Sequence, residues 1–288
     1  GIQGLGIAET AYQNSLAYTR ERKQGTSNDN KNGETDLIIK HADIRRTLMN
    51  MKSIIEGQRS VAFWVSQLID VSLNHPNKEV KDSAGDLVSL MTPVIKSFFT
   101  DMGMEITNDA IQVFGGYGYT KDQGIEQLFR DNRITPIYEG TNSIQAIDLV
   151  YRKILNNKIF DKYISQINAE IKETAKNKNL SLFSGKLEKY IELLVNFTSW
   201  LEKKHSSSKD DVSSACNDYL KVFGYVSLGY SWLKILRISH EKLKLNKDFF
   251  EDKINTATYY FDKILPRAQS HYISAISGSE TMMKANFN

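Results

Sequence analysis

Aliphatic and aromatic residues recur at three- and four-residue spacing along almost the whole chain, and the strict alternation of a strand is nearly absent, which predicts an all-α protein. Leu5, Ala8, Tyr12, Leu16 and Thr19 fall on one side of a helix over residues 2 to 23, with Glu9, Asn14 and Arg20 among its polar positions. A polar run at residues 25 to 33 stops that helix and reads as a loop too polar to pack. A second helix spans 36 to 74 and closes at His75-Pro76, since a residue before proline disfavours the helical region. A third covers 80 to 90. Thr92-Pro93 has the form of an N-cap followed by proline at the first helical position, so a fourth helix is expected to start there and end at Gly115-Gly116. Short helices over 124 to 133 and 142 to 155 complete this half.

Beyond Asn156-Asn157-Lys158 the pattern becomes Lys-rich and amphipathic over 159 to 176, 184 to 204, 210 to 243 and 247 to 279. Four helices joined by short polar separators make a bundle, and Pro266 inside the last predicts a kink or break. The expected organisation is two helical domains, residues 1–156 and 157–288.

Composition narrows the class. A chain of 288 residues can bury a large core, and a net charge of +3 with the two signs interspersed argues against a nucleic-acid protein. The single cysteine, Cys216, excludes an intrachain disulfide and fits a reducing cytosol. No apolar run is long enough to span a bilayer and no signal-peptide pattern opens the sequence, so a cytoplasmic protein is expected. The histidines at 41, 75, 205, 240 and 271 show no ligand spacing, and no metal is expected. Trp64, Trp200 and Trp232 read as core, and Cys216 as a buried thiol.

The string Ile137-Tyr138-Glu139-Gly140-Thr141-Asn142-Ser143-Ile144-Gln145 places one carboxylate on a turn before an amphipathic helix that Thr141 or Asn142 can cap. In an apolar pocket beside such a turn a carboxylate can take a proton from carbon, and Gly140 lets another molecule approach closely. From spacing alone Glu139 reads as a solvated loop residue ahead of a capped helix. Gly115-Gly116-Tyr117-Gly118 reads as a helix stop and lacks the spacing of a dinucleotide fingerprint. Arg20, Arg22 and Lys23 complement the dipole at a helix end without needing a ligand.

Three segments together change this picture: LAYTRERKQG near the start, QVFGGYGYTKDQGIEQLFRDNRI, and IYEGTNSIQ. In this order the chain resembles the C-terminal helical domain of the acyl-CoA dehydrogenases over residues 1 to 156. The resemblance implies a four-helix bundle followed here by a second one, FAD as cofactor, an acyl-CoA thioester as substrate, and Glu139 as the base that removes the α-proton. It places Arg22, Gln112, Gly115 and Gly116 against a flavin held by a neighbouring subunit, Thr141 and Ser143 near the flavin, and Tyr138 and Gly140 near the substrate. It further implies a homodimer or homotetramer that passes electrons to an electron-transferring flavoprotein. Arg130-Asp131 is expected to form an internal ion pair that fixes the Glu139 turn. The family continues after its arginine with Thr/Ser-Phe-Gly, whereas Gln24-Gly25-Thr26 stands here.

The family's order is an N-terminal helical domain, a β-domain and then this domain. Only the last is expected here, so the resemblance implies part of a longer enzyme, inactive by itself. Residues 209 to 240 and 256 to 267 resemble the extension of a subgroup of larger bacterial members that includes enzymes acting on 3-(methylthio)propanoyl-CoA. A non-catalytic helical interaction module, or an acyl-CoA oxidase returning electrons to oxygen, stays open as an alternative.

Overall fold

The computed structural model describes residues 1–30, 33–156 and 159–287. Lys31 and Asn32 of the predicted loop, and Asn157 and Lys158 of the predicted separator, lie outside the described residues. Among the described residues there is no strand, only an isolated antiparallel bridge between Lys23 and Leu37.

Helix α1 (Ile2–Thr19) buries Leu5, Ala8, Ala11 and Tyr12 against the long antiparallel pair α2 (Ala42–Asn74) and α3 (Lys78–Phe114). It ends four residues earlier than its pattern predicts. The chain turns extended because Gln24 N–H donates to the Asp36 carbonyl at 2.9 Å and Ile38 N–H to that of Arg22 at 2.9 Å, which also delays the start of α2. The described residues on either side of Lys31 and Asn32 are polar but organised, contrary to the expectation of a loop too polar to pack. Asp36, itself buried, accepts from the amide and hydroxyl of Ser27, from Asn30 Nδ2 and from Lys40 Nζ, all within 2.9 Å.

The helix break expected at Thr92-Pro93 is absent: α3 runs through Pro93. Thr92 does not cap but donates its hydroxyl back to the Val88 carbonyl at 2.7 Å. An interior proline costs roughly 3 kcal/mol, and the fully buried Phe98 and Phe99 just beyond it contribute about 1.5–3 kcal/mol each, so packing wins. Short helices α4 (Gly116–Tyr119) and α5 (Ile125–Asn132) follow, and then α6 (Asn142–Ile147). The last continues as a π-helical turn over Asp148–Ile154, where Leu155 N–H reaches the Val150 carbonyl.

The second half consists of α7 (Ile159–Ala175), α8 (Ser181–His205), α9 (Lys209–Lys242), α10 (Lys247–Tyr259) and α11 (Arg267–Ile276), with a last turn α12 (Glu280–Met283). The break at Pro266 is present. It is preceded by a π-helical stretch, Tyr260–Ile264, as the proline cannot donate to the preceding turn. Helix α9 corrects the amphipathic reading, because residues 222 to 233 are buried all round. That stretch alternates aromatics with Gly224, Ser227, Gly229 and Ser231, small enough for neighbours to approach on every side. It packs on α2, α3, α6, α7, α8, α10 and α11, and one hydrophobic core runs through both halves of the chain.

Two expected outcomes follow from this packing. A Cβ on Gly224 would sit 2.3 Å from the Phe98 ring, whereas one on exposed Gly185 of α8 meets nothing within 4 Å. Gly224→Ala should therefore lose about 1 kcal/mol net and lower the melting temperature by roughly 2–4 °C, while Gly185→Ala should raise it, as thermal denaturation will register. Lys40, followed by the hydroxyl and amide of Ser27 and by Asn30, holds the Asp36 carboxyl well below the usual carboxylate range. Stability from such a depressed group is complete above the unfolded value of about 4 and is lost as pH falls through the folded value. The Gln24 and Ile38 amides should accordingly lose hydrogen-exchange protection in acid, and in Asp36→Asn at neutral pH.

Candidate active site

The backbone at Glu139 is the conspicuous local feature. Its φ is +55°, and it is the single non-glycine residue with positive φ among the described residues; Gly140 follows at +79°. A left-handed side-chain-bearing residue costs roughly 1–2 kcal/mol and persists where its surroundings over-determine it. Here Gln145 Nε2 donates to the Glu139 carbonyl at 2.8 Å, and Lys96 Nζ to the Gly140 carbonyl at 2.6 Å. Asn142 N–H donates to the Pro136 carbonyl at 3.0 Å, and Thr141 Oγ1 caps α6 by accepting from Ile144 N–H at 3.4 Å.

Behind the turn lies a polar cluster that sequence reasoning missed. Lys96 of α3 is only 9% exposed and also donates to Asn142 Oδ1 at 2.8 Å. Burial pushes its ammonium below the ordinary lysine value, while the charges of Asp101 and Glu139 act in the opposite direction. Asn142 Nδ2 donates to Asp101 Oδ1 at 2.6 Å, Thr100 Oγ1 at 3.0 Å and the Ser97 carbonyl at 3.2 Å. The available signal was a lysine set inside the apolar run Pro93-Val94-Ile95-Lys96-Ser97-Phe98-Phe99.

Glu139 and Gly140 line a cleft of about 520 Å³ together with Ile144, Gln145, Ile147, Asp148, Tyr151 and Arg152. Ile144 and Ile147 are exposed apolar side chains in its lining, and Ile134, Ile137 and Tyr138 are exposed in the segment just before Glu139. The pocket expected to enclose Glu139 is therefore an open apolar rim in this chain, and the carboxylate is exposed. Ser143 faces α9, its Oγ 3.4 Å from Asn217 Nδ2. The expected Arg130–Asp131 ion pair does not form. Neighbouring residues on a helix point apart, and instead Arg130 Nε pairs with Glu126 one turn back at 3.0 Å while Asp131 accepts from Gln127.

Arg22, Gln112, Gly115 and Gly116 do meet, in a second cleft of about 840 Å³. Its apolar side is Tyr18, stacked on Phe114 with ring centres 4.1 Å apart, with Ile38, Ile44 and Val113. The Arg22 guanidinium lies 5.4 Å from the centre of the Tyr117 ring and has no carboxylate partner among the described residues. Gly115, at φ +61°, ends α3 where no side chain obstructs the mouth. Such a lining suits a flat aromatic ring carrying phosphate. The two clefts share no lining residue.

Cys216 is buried, its thiol pushed up to about 12 by desolvation, with Sγ donating to the Val212 carbonyl. Among the described residues no group of His, Cys, Asp and Glu is arranged to hold a metal, and no helix is long and apolar enough to cross a membrane.

Residues 1–155 match the family model described as acyl-CoA dehydrogenase, C-terminal domain, and residues 167–286 the one described as acetyl-CoA dehydrogenase C-terminal like. A curated relative, 3-methylmercaptopropionyl-CoA dehydrogenase of Ruegeria pomeroyi, is 28% identical over 99% of this chain and 49% of its own length. Among solved structures, an acyl-CoA dehydrogenase complexed with FAD from Bacillus anthracis superposes with a TM-score of 0.73 at 17% identity, over 97% of this chain and 48% of that one. ACDH-11 of Caenorhabditis elegans, in complex with C11-CoA, gives 0.73 at 18% identity, over 99% and 46%. The chain thus spans about half the length of these proteins. With more than half of its residues in the first family model and the same all-helical fold in its structural neighbours, the chain belongs to the acyl-CoA dehydrogenase family.

Proposed function

We propose that this chain carries the base, and part of the cofactor site, of an FAD-dependent acyl-CoA dehydrogenase that desaturates an acyl-CoA thioester between its α and β carbons. The observation that carries this reading is the Glu139 turn: a carboxylate on a left-handed residue, both neighbouring carbonyls tied down, opening into a cleft with an apolar rim. FAD, when bound, supplies the acceptor for the β-hydride.

The remaining chemistry belongs to this chain's residues. Glu139 takes the α-proton, and its backbone N–H serves as a donor to the thioester carbonyl, where a preorganised donor is worth about 3–4 kcal/mol. Gly140 leaves room for the thioester, and exposed Tyr138 offers an apolar flank to the acyl group. Arg22, Gln112, Gly115 and Gly116 hold the adenine and diphosphate end of a flavin bound mainly by a partner subunit. Their separation from the Glu139 cleft supports this division, since one chain then serves two active sites of a homodimer or homotetramer. Thr141 and Ser143 are assigned to the flavin side; each accepts one hydrogen bond here and keeps its O–H for a ligand. Residues 157–288 act as a second helical domain that shapes assembly. An electron-transferring flavoprotein is the proposed electron acceptor in a cytoplasmic setting.

In the full-length protein, Glu139→Gln is expected to keep its flavin and bind acyl-CoA but to slow flavin bleaching by about 10² to 10⁴, and near-normal reduction would remove Glu139 from the base role. Arg22→Ala is expected to raise the flavin dissociation constant with helical circular dichroism intact. Unchanged flavin affinity would leave Arg22 a solvated residue beyond the helix end.

A further inference from the structure

Lys221, on the α9 helix of the second half, pairs with Asp101 Oδ2 on α3. The other oxygen of Asp101 accepts from Asn142 Nδ2 at 2.6 Å. Asn142 Oδ1 in turn accepts from Lys96 Nζ at 2.8 Å, and Lys96 Nζ donates to the Gly140 carbonyl at 2.6 Å. An unbroken run of polar contacts therefore leads from α9 to the carbonyl of Gly140, the residue after Glu139, and three of its members, Lys221, Asp101 and Lys96, carry a formal charge. One turn before Lys221, Asn217 of the same helix reaches Ser143. The α9 end of this run is rigid: Lys221 lies over the Phe98 ring, and Phe98 presses on Gly224. The Glu139 end is exposed and held in a conformation that its own residue type disfavours.

We propose that the second helical half sets the position of Glu139 through Lys221, Asp101, Asn142 and Lys96, which makes Lys221 a positioning residue for the proton abstraction. This rests on Glu139 being the base. The physical reason is competition for one ammonium group. Asp101 also attracts Lys96, and the Lys221 charge offsets that pull. With Lys221 removed, Asp101 competes with the Gly140 carbonyl for Lys96, and the turn loses the contact that holds it. Both side chains of the pair keep some contact with solvent, so its loss is expected to leave the fold intact. A displacement of about 1 Å at a reacting group costs up to 10²-fold in rate.

The test is stopped-flow flavin reduction by saturating butyryl-CoA in the full-length, flavin-loaded protein. Lys221→Met keeps the aliphatic stem over Phe98. It is expected to lower the limiting reduction rate by roughly 10- to 100-fold, with apparent substrate affinity, flavin content and melting temperature close to wild type. Lys221→Arg should restore most of the rate. A wild-type limiting rate in Lys221→Met, beside a Glu139→Gln protein that does not reduce its flavin, would overturn the positioning role and leave the base intact. Normal reduction in Glu139→Gln would remove the base reading and this inference with it. Lost flavin or a lowered melting temperature at an unaltered rate would reduce Lys221 to a packing residue and overturn the proposal. Should Lys221→Met not fold, Lys221→Gln, which retains a donor for Asp101, is expected to be intermediate in rate, and a wild-type rate there overturns the proposal equally.

Discussion

The hydrogen bond from the buried Lys96 ammonium to the Gly140 carbonyl is the contact on which the rest of the site depends. Glu139 and Gly140 both occupy left-handed backbone, a geometry that an unsupported turn abandons for any of several cheaper ones. Burying an ammonium costs free energy unless its donors are matched, and here Lys96 donates to the Gly140 carbonyl and to Asn142 Oδ1. The cost of one unfavourable group is thereby offset by fixing another. The turn gains a fixed backbone while the carboxylate itself stays exposed.

A different constraint fixes the frame. Residues 222 to 233 of α9 have no solvent-facing side, so each neighbouring helix must present a complementary surface. Gly57 and Gly224 mark the closest approaches, against Trp232 and Phe98. Trp232 adds a hydrogen bond from its indole N–H to the Ser53 carbonyl at 2.9 Å, and Tyr259 hydroxyl donates to Asn50 Oδ1 at 2.7 Å. The two halves that the sequence separates at residue 156 thus share one hydrophobic core.

Much of the architecture was legible because helical periodicity and proline chemistry are local. The all-α class, the break at Pro266, the end of α2 before Pro76 and the buried Cys216 all follow from residues and their near neighbours. Pro93 was misread for the same reason: the rule that starts a helix at Thr-Pro knows nothing of Phe98 and Phe99 packing beyond it. Asp36 reads in the sequence as the first residue of the second helix, and its four hydrogen bonds exist only once the preceding segment has closed on it. In the site, motif order placed Glu139 and the Arg22 and Gln112–Gly116 group, but Lys96, Asn142 and Asp101 are joined by contacts across 40 to 50 residues that no local pattern announces. Arg130 shows the reverse error, where adjacency in sequence was taken for adjacency in space.

The Trp232–Ser53 bond closes a loop of 179 residues, and the Tyr259–Asn50 bond one of 209. During synthesis at about 5–20 residues per second, α2 and α3 therefore leave the ribosome many seconds before the helix that completes their core. Through that interval Phe98, fully buried in the finished protein, has no α9 to cover it. A nascent chain at this stage carries exposed apolar surface of the kind that aggregates. Its vulnerable period is set by the distance along the sequence to Trp232 rather than by the stability of the finished fold.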